Sequence, residues 1–258
     1  MSSIIKEKTD SILKIVLNRP DKFNSFNREM ALAMISALEE GEKDRSVRCI
    51  LITGTGKAFC AGQDLAEAID KNGPGIKKIV EEHYNPIIQK IRTIEKPVVC
   101  AVNGVAAGAG ANIALCCDVV IAGESASFIQ AFSKIGLIPD SGGTFFLPRL
   151  IGFQRASALM MLGDKVSALD ALQMGMIYKV VKDEELQTES KKISETLAAM
   201  PTRGIGLTKK LLNESMVNNL SKQLEREGQE QVVAASTFDY NEGVNAFLEK
   251  RKPQFKGE

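Results

Sequence analysis

Phe59-Cys60-Ala61-Gly62-Gln63-Asp64-Leu65 and Asn103-Gly104-Val105-Ala106-Ala107-Gly108-Ala109-Gly110-Ala111 decide the reading of this chain, because each is a small-residue turn that follows an apolar run. The first run, Cys49-Ile50-Leu51-Ile52-Thr53, is rich in β-branched residues and too short for a helix; the second, Pro97-Val98-Val99-Cys100-Ala101-Val102, has the same character and leads into Asn103-Gly104. Small residues after a strand let a ligand come close to the main chain. Two such turns together offer free backbone N–H groups to one acceptor, which is the chemistry of an oxyanion hole.

Outward from these turns the chain alternates short strands with helices. Ala31, Met34, Ile35 and Leu38 fall at i, i+3, i+4 and i+7, so residues 27–43 read as an amphipathic helix ahead of the Cys49–Thr53 strand. Such βα alternation predicts stacked α/β units with parallel pairing. Ser167 with Asp170 reads as a variant capping box, after which the pattern becomes almost wholly helical. Helices are expected near 203–217, 221–238 and 240–249, with no strand among them. The division expected is a core over 1–200 and a helical region over 201–258.

Composition narrows the class without naming a reaction. The chain has 258 residues, 44% of them hydrophobic, enough for a large core. With 33 basic and 32 acidic side chains there is no bulk charge to favour nucleic acid or a membrane surface. Five cysteines without regular spacing, and no signal-peptide pattern or long apolar segment, point to free thiols in a reducing cytoplasm. Cysteine and histidine never cluster at ligand spacing, so no metal site is expected. No glycine-rich dinucleotide fingerprint or P-loop indicates a nicotinamide or ATP cofactor.

The two turns resemble those of the crotonase, or enoyl-CoA hydratase/isomerase, family, in the pattern A-F-C-A-G-x-D-L and a G-x-A-x-G-x-G-x turn. The resemblance extends along the chain through Ile15–Phe26, Cys117-Asp118-Val119-Val120-Ile121-Ala122, Gly136–Gly152, Ala168–Ile177 and the closing Phe247-Leu248-Glu249-Lys250-Arg251-Lys252-Pro253. It implies an α/β fold, a β-β-α superhelix whose C-terminal helices pack against neighbouring subunits in a homo-trimer or a dimer of trimers. It also implies an acyl-CoA substrate, with coenzyme A entering as part of that substrate and no separate cofactor. The oxyanion donors it implies are the N–H groups of Gln63 and Ala109. For the coenzyme it implies the main chain of Ala58, Ala61 and Asp64 near the adenine, Arg19 and Lys22 near the phosphates, and Lys250 from the closing helix.

Carboxylates then separate the reactions. Family hydratases place a glutamate in each of two segments, because syn addition of water needs a base and an acid on one face. The matching positions here are Asn112 and Phe132, and neither side chain exchanges a proton near neutral pH. Asp140 remains, in Ile138-Pro139-Asp140-Ser141-Gly142-Gly143, a turn able to project a side chain among Phe132, Leu137, Ile138 and Phe145. Partial desolvation there would raise its pKa and suit it to proton transfer. The same turn would equally let an aspartate cap the next helix. In the resembled family an aspartate at this position transfers the proton in isomerases that act on dienoyl and ring-epoxide thioesters.

Asn112 has two readings, a contact to substrate or to Asp140, or a satisfied polar group at a helix start. His83, the only histidine, reads as an exposed helix residue, while Tyr84 beside it is a candidate for the acyl pocket. Cys60 and Cys100 read as small apolar fillers. The expectation is an acyl-CoA isomerase; a hydratase, or an acyl-CoA-binding or RNA-binding member without catalysis, are the alternatives.

Overall fold

The computed structural model describes residues 2–258. Ten strands form two sheets: β1 (Ile4–Thr9), β2 (Ile12–Leu17), β3 (Cys49–Gly54), β4 (Ala58–Cys60), β5 (Val98–Val102), β6 (Val105–Ala107), β7 (Val119–Gly123), β8 (Ser127–Ile129), β9 (Lys165–Ser167) and β10 (Lys179–Val181). The larger sheet has the order β1-β2-β3-β5-β7-β10 and the smaller the order β4-β6-β8-β9. Each of the pairs β3/β4, β5/β6 and β7/β8 places one strand in each sheet, and the chain then moves on by one strand in both. That repeated step is the β-β-α superhelix.

The expected parallel pairing holds for the inner strands, whereas β1/β2 and β8/β9 are antiparallel. A hairpin joins β1 to β2 directly, and a tight turn of that kind can only reverse the strand. β10 is a further short strand inside the region read as helical; it adds to the sheet edge beside β7. β5 is buried throughout, which is why it reads as an uninterrupted apolar run.

The first helix, α1 (Arg28–Lys43), starts at an Asn27 cap whose side chain accepts from the Met30 N–H. Next come α2 (Leu65–Ala68), α3 (Gly75–Lys78), a π-helical turn over Ile79–Tyr84, α4 (Asn85–Thr93) and α5 (Ala109–Leu115). The helices α6 (Gly143–Ile151), α7 (Phe153–Leu162) and α8 (Ala168–Gln173) lead to α9 (Leu186–Ala198). Ser167 caps α8 by accepting from the Asp170 N–H at 3.1 Å, as the sequence predicts. α10 (Thr202–Ser215), α11 (Leu220–Ala235) and α12 (Phe238–Leu248) close the chain within a residue or three of their expected bounds.

One apolar core lies between the two sheets and α1, α4 and α5, with Ile50, Ile52, Val98, Cys100 and Val102 on the inner face of the larger sheet. The other face of that sheet carries Cys49, Leu51, Val99 and Ala101 under α9. α10 is tied to this body by charge: Lys209 Nζ lies 2.7 Å from Asp118 Oδ2, and Arg92 Nη1 lies 3.0 Å from Asp118 Oδ1. Leu220, Leu224, Val232, Phe247 and Leu248 on α11 and α12 remain exposed. No helix among the described residues is long and apolar enough to cross a membrane.

Candidate active site

β4 and β6 are neighbours in the smaller sheet, so the turns that follow them lie side by side. Gly62, at φ 91°, sits so close to the second turn that a Cβ on it would stand 2.9 Å from the Ala107 carbonyl oxygen and 3.5 Å from the Ala109 nitrogen. Gly110 meets the first turn in the same way, with space for a Cβ closed by the Cys60 carbonyl at 2.4 Å. Glycine is required at both positions by steric contact, and at Gly62 by the left-handed backbone as well.

The hydrogen bonds around Gln63 leave its N–H uncommitted. The Phe26 N–H donates to the Gly62 carbonyl at 2.7 Å and the Asp64 N–H to the Phe26 carbonyl at 2.8 Å, so the backbone groups on either side of Gln63 are pinned. Among the described residues no acceptor pairs with the N–H of Gln63 itself, or with that of Ala109 at the start of α5. Both expected donors therefore stand free on adjacent turns. Cys60 packs between them as a small filler, and burial pushes its thiol up to about 12.

Gln63's side chain is held at both ends. The Tyr84 hydroxyl donates to its Oε1 at 2.8 Å, and its Nε2 donates to Glu67 Oε2 at 3.0 Å. Tyr84 is only 1% exposed and sets its ring edge-to-face with Phe26, centroids 6.0 Å apart. The expectation for His83 is wrong: it is buried, because the π-helical turn rotates it inward against α1. Its Nε2 lies 3.2 Å from Arg28 Nη1, and since guanidinium can only donate, Nε2 accepts and the proton belongs on Nδ1. Burial, and secondarily the Arg28 charge, lowers its pKa against the opposing pull of Glu67 and Glu82.

Asp140 comes to the same region from the turn before α6. Its carboxyl is half-buried and raised above the ordinary carboxylate range, burial being the cause, with the Ser141 hydroxyl bond at 2.9 Å opposing. It does not cap α6: the Gly143 N–H is taken by the Asp140 main-chain carbonyl at 2.9 Å, and the helix has no side-chain cap. Asn112 Nδ2 donates to that same carbonyl at 2.8 Å and so ties α5 to the Asp140 segment. Asn112 Oδ1 in turn accepts from Gln130 Nε2 at 2.8 Å. Gln130 was not singled out by the sequence; a lone amide between Ile129 and Ala131 in an apolar segment was the available signal.

Phe132 is buried, with its ring 3.7 Å from where a Gly108 Cβ would lie, so it walls the second turn. The remaining apolar neighbours proposed for Asp140 are open in the single chain: Leu137 is 42%, Ile138 82% and Phe145 37% exposed. Leu137 and Ile138 lie in the loop before Asp140, and Phe145 in the first turn of α6.

At the other end of the site the expected coenzyme contacts are partly used up internally. Arg19 donates to the Ser25 carbonyl and to Asp64 Oδ2 at 2.9 Å, so its charge is already paired. Asp64 also caps α2; burial alone would raise it, but the Arg19 and Ala66 hydrogen bonds hold it below the usual range. Ala58 is buried, and its carbonyl accepts from Asn24 Nδ2 at 2.8 Å and Asn103 Nδ2 at 3.3 Å. Ala61, Lys22 and Lys250 are exposed. A cleft of about 620 Å³ lies elsewhere, between β1–β3 and α9; Asn103 lines it, but none of the expected coenzyme contacts does.

With this geometry described, comparison with known proteins gives a consistent result. The family model for enoyl-CoA hydratase/isomerase matches residues 7–258. A 1,2-epoxyphenylacetyl-CoA isomerase of Escherichia coli (strain K12) is 47% identical over 260 residues, covering 100% of this chain and 99% of that protein. A trans-2-decenoyl-[acyl-carrier-protein] isomerase of Streptococcus mutans is 35% identical, covering 98% of each. The crystal structure of an enoyl-CoA hydratase from Bacillus anthracis superposes with a TM-score of 0.92 at 33% identity, over 99% of this chain and 100% of that one.

Proposed function

The chain belongs to the enoyl-CoA hydratase/isomerase family, and from that premise we propose that it is an acyl-CoA isomerase with 1,2-epoxyphenylacetyl-CoA as its substrate. The observation that carries this reading is the pairing of two uncommitted N–H groups, Gln63 and Ala109, with a single raised carboxylate, Asp140; the family resemblance adds that Asn112 and Phe132 match the positions where hydratases carry glutamates. Asn112 is engaged at both ends of its amide and Phe132 has nothing to ionise, so neither can activate water.

In this mechanism the Gln63 and Ala109 N–H groups bind the thioester oxygen and stabilise negative charge as it forms there. A hole of this kind acidifies the α and vinylogous γ carbons, and loss of one such donor typically costs about a hundredfold to a thousandfold in rate. The carboxylate of Asp140 removes a proton from one carbon and returns it to another through the dienolate, which shifts the double bond without net gain or loss of atoms. With a ring epoxide, the same polarised thioester and carboxylate assist C–C opening and expansion to the oxepin isomer. An enoyl double-bond shift uses the same groups, and the resemblance to an isomerase named for trans-2-decenoyl thioesters supports it as the second activity.

Exposed apolar side chains on α11 and α12 support assembly as a homo-trimer or a dimer of trimers, and exposed Lys22 and Lys250 remain candidates for the coenzyme phosphates. The decisive experiment presents the protein with 1,2-epoxyphenylacetyl-CoA, a 3-enoyl-CoA and crotonyl-CoA, and identifies products by mass spectrometry and NMR. Isomerisation of the first two, undiminished by EDTA and far faster than hydration of the third, is the expected result. Comparable hydration turnover would overturn it.

A further inference from the structure

We propose that Gln130 is a positioning residue for Asp140, acting through Asn112, and that it works only as a hydrogen-bond donor. The inference rests on the assignment of Asp140 as the proton-transfer group. Its starting point is the Asp140 main-chain carbonyl, which can only accept. That carbonyl lies 2.8 Å from the Asn112 amide, so Nδ2 must face it and Oδ1 must face the other way. Oδ1 lies 2.8 Å from the Gln130 amide, so Gln130 must present Nε2. The orientation of both amides follows from one backbone oxygen, and donors run in a single direction from Gln130 to Asn112 to Asp140.

The relay ends with an unpaired atom. Gln130 Oε1 is buried and has no partner among the described residues, and Gln130 as a whole is only 4% exposed. Turning the Gln130 amide over would give Oε1 a contact only with another acceptor, Asn112 Oδ1. A buried acceptor left unmatched is uncommon and costly. The packing therefore keeps Gln130 in place to supply its N–H rather than to satisfy its oxygen.

What the relay holds is a strained turn. Ser141 has φ 52° and Gly142 φ 72°, two successive left-handed residues directly after Asp140. A serine there persists only where its surroundings over-determine it. The Asp140 carbonyl, gripped by both the Gly143 N–H and Asn112 Nδ2, is the anchor just ahead of that strain. Room for the Asn112 amide exists because residue 143 is glycine: a Cβ there would sit 2.4 Å from Asn112 Nδ2. The direction of the Asp140 carboxylate thus depends on a residue at the end of β8 that does not touch it.

Gln130→Glu tests this with almost no change of shape. As the neutral acid the introduced carboxyl donates its O–H to Asn112 Oδ1 and the relay is intact. As the anion it has no proton to give, Asn112 turns over, and oxygen faces oxygen at Asp140. Burial raises the pKa of such a group, so the change falls between about pH 5.5 and about pH 8.5. The readout is kcat for a 3-enoyl-CoA, as the ratio of variant to wild type across that range. The expected ratio falls at least about tenfold from acid to alkaline pH, with KM changed less than about twofold. Gln130→Met, which fills the space but never donates, should lose about tenfold in kcat with no such rise at low pH. Asn112→Asp breaks the relay at its second step and should also recover as pH falls, which covers the case that Gln130→Glu does not fold. A flat ratio for Gln130→Glu, or near wild-type kcat in Gln130→Met, would overturn the proposal. Asp140→Asn is run in parallel: if it keeps turning over, the assignment of Asp140 fails, whereas an inactive Asp140→Asn with a flat Gln130→Glu ratio defeats the positioning role alone.

Discussion

The hydroxyl of Tyr84 donates to Oε1 of Gln63 at 2.8 Å, so a side chain from the π-helical turn holds the residue whose N–H forms one side of the proposed oxyanion hole. π-Turns inside helices recur at functional sites, and here the turn is what brings Tyr84 inward. Tyr84→Phe keeps the edge-to-face contact with Phe26 but leaves Gln63 Oε1 without its donor. Gln63 is only half-buried, so we expect a stability loss of about 0.5 to 1.5 kcal/mol, the net worth of a typical hydrogen bond. The carbonyl stretch of a bound thioester should shift toward that of the free ester, with a drop of several-fold in kcat. An unchanged stretch would show that Tyr84 does not govern the hole.

Asp140→Asn keeps the turn and the main-chain carbonyl that Asn112 binds, and removes only the ionisable group. Isomerisation should fall by about a hundredfold to ten-thousandfold, the contribution expected of a general acid–base residue. Affinity for acyl-CoA, measured by calorimetry, should stay near wild type. Deuterium exchange at the substrate α carbon should be lost along with turnover, since the polarising N–H groups remain while the base is gone.

The pH dependence follows from the direction of the Asp140 shift. The base acts as a carboxylate, so kcat should rise with pH and level off, with its midpoint above the ordinary aspartate value of about 3.9. The stability effect has the opposite sign. A folded-state pKa raised above the unfolded one means that Asp140 favours the fold most below its unfolded pKa and loses that advantage as pH rises through the folded value. Asp140→Asn does not carry this loss, so its thermal midpoint should match or exceed wild type at neutral pH and gain relative to wild type from acid to neutral. Differential scanning calorimetry at both ends of the range measures it.

Gly62→Ala places a methyl 2.9 Å from the Ala107 carbonyl oxygen at a backbone φ of 91°, so either the two turns separate or the strain is stored. A cost of about 1 to 3 kcal/mol in stability is expected from such backbone strain. Catalysis should suffer more than stability, because the methyl also pushes toward the Ala109 nitrogen. A folded Gly62→Ala protein with wild-type kcat would mean that the spacing of these turns does not matter to the reaction.

Much of the site was legible because its signals are local. The β-branched runs, the glycines that follow them, the apolar spacing of Ala31, Met34, Ile35 and Leu38 and the Ser167 cap each act within a few residues, and the helices they mark appear where they were expected. His83 was misread for the same reason: its polar neighbours Glu81, Glu82 and Asn85 look like a solvated face, and only the π-helical turn, packed on α1, rotates the imidazole inward. The ion pair of Arg19 with Asp64 was not foreseen, because the two residues lie 45 positions apart in the chain.

By itself the sequence determined the strand–turn–helix order, the close main-chain approach at Gly62 and Gly110, and the absence of ionisable groups at Asn112 and Phe132, since steric limits and side-chain chemistry belong to the residues themselves. Only the tertiary structure decided which groups meet: Tyr84 with Gln63 across 21 residues, Gln130 with Asn112 across 18, and Asn112 with Asp140 across 28. The physical reason is that a hydrogen bond needs its atoms within about 3 Å and correctly oriented. That condition is set by how the two sheets stack α5, the end of β8 and the turn before α6 against one another, which no local pattern encodes.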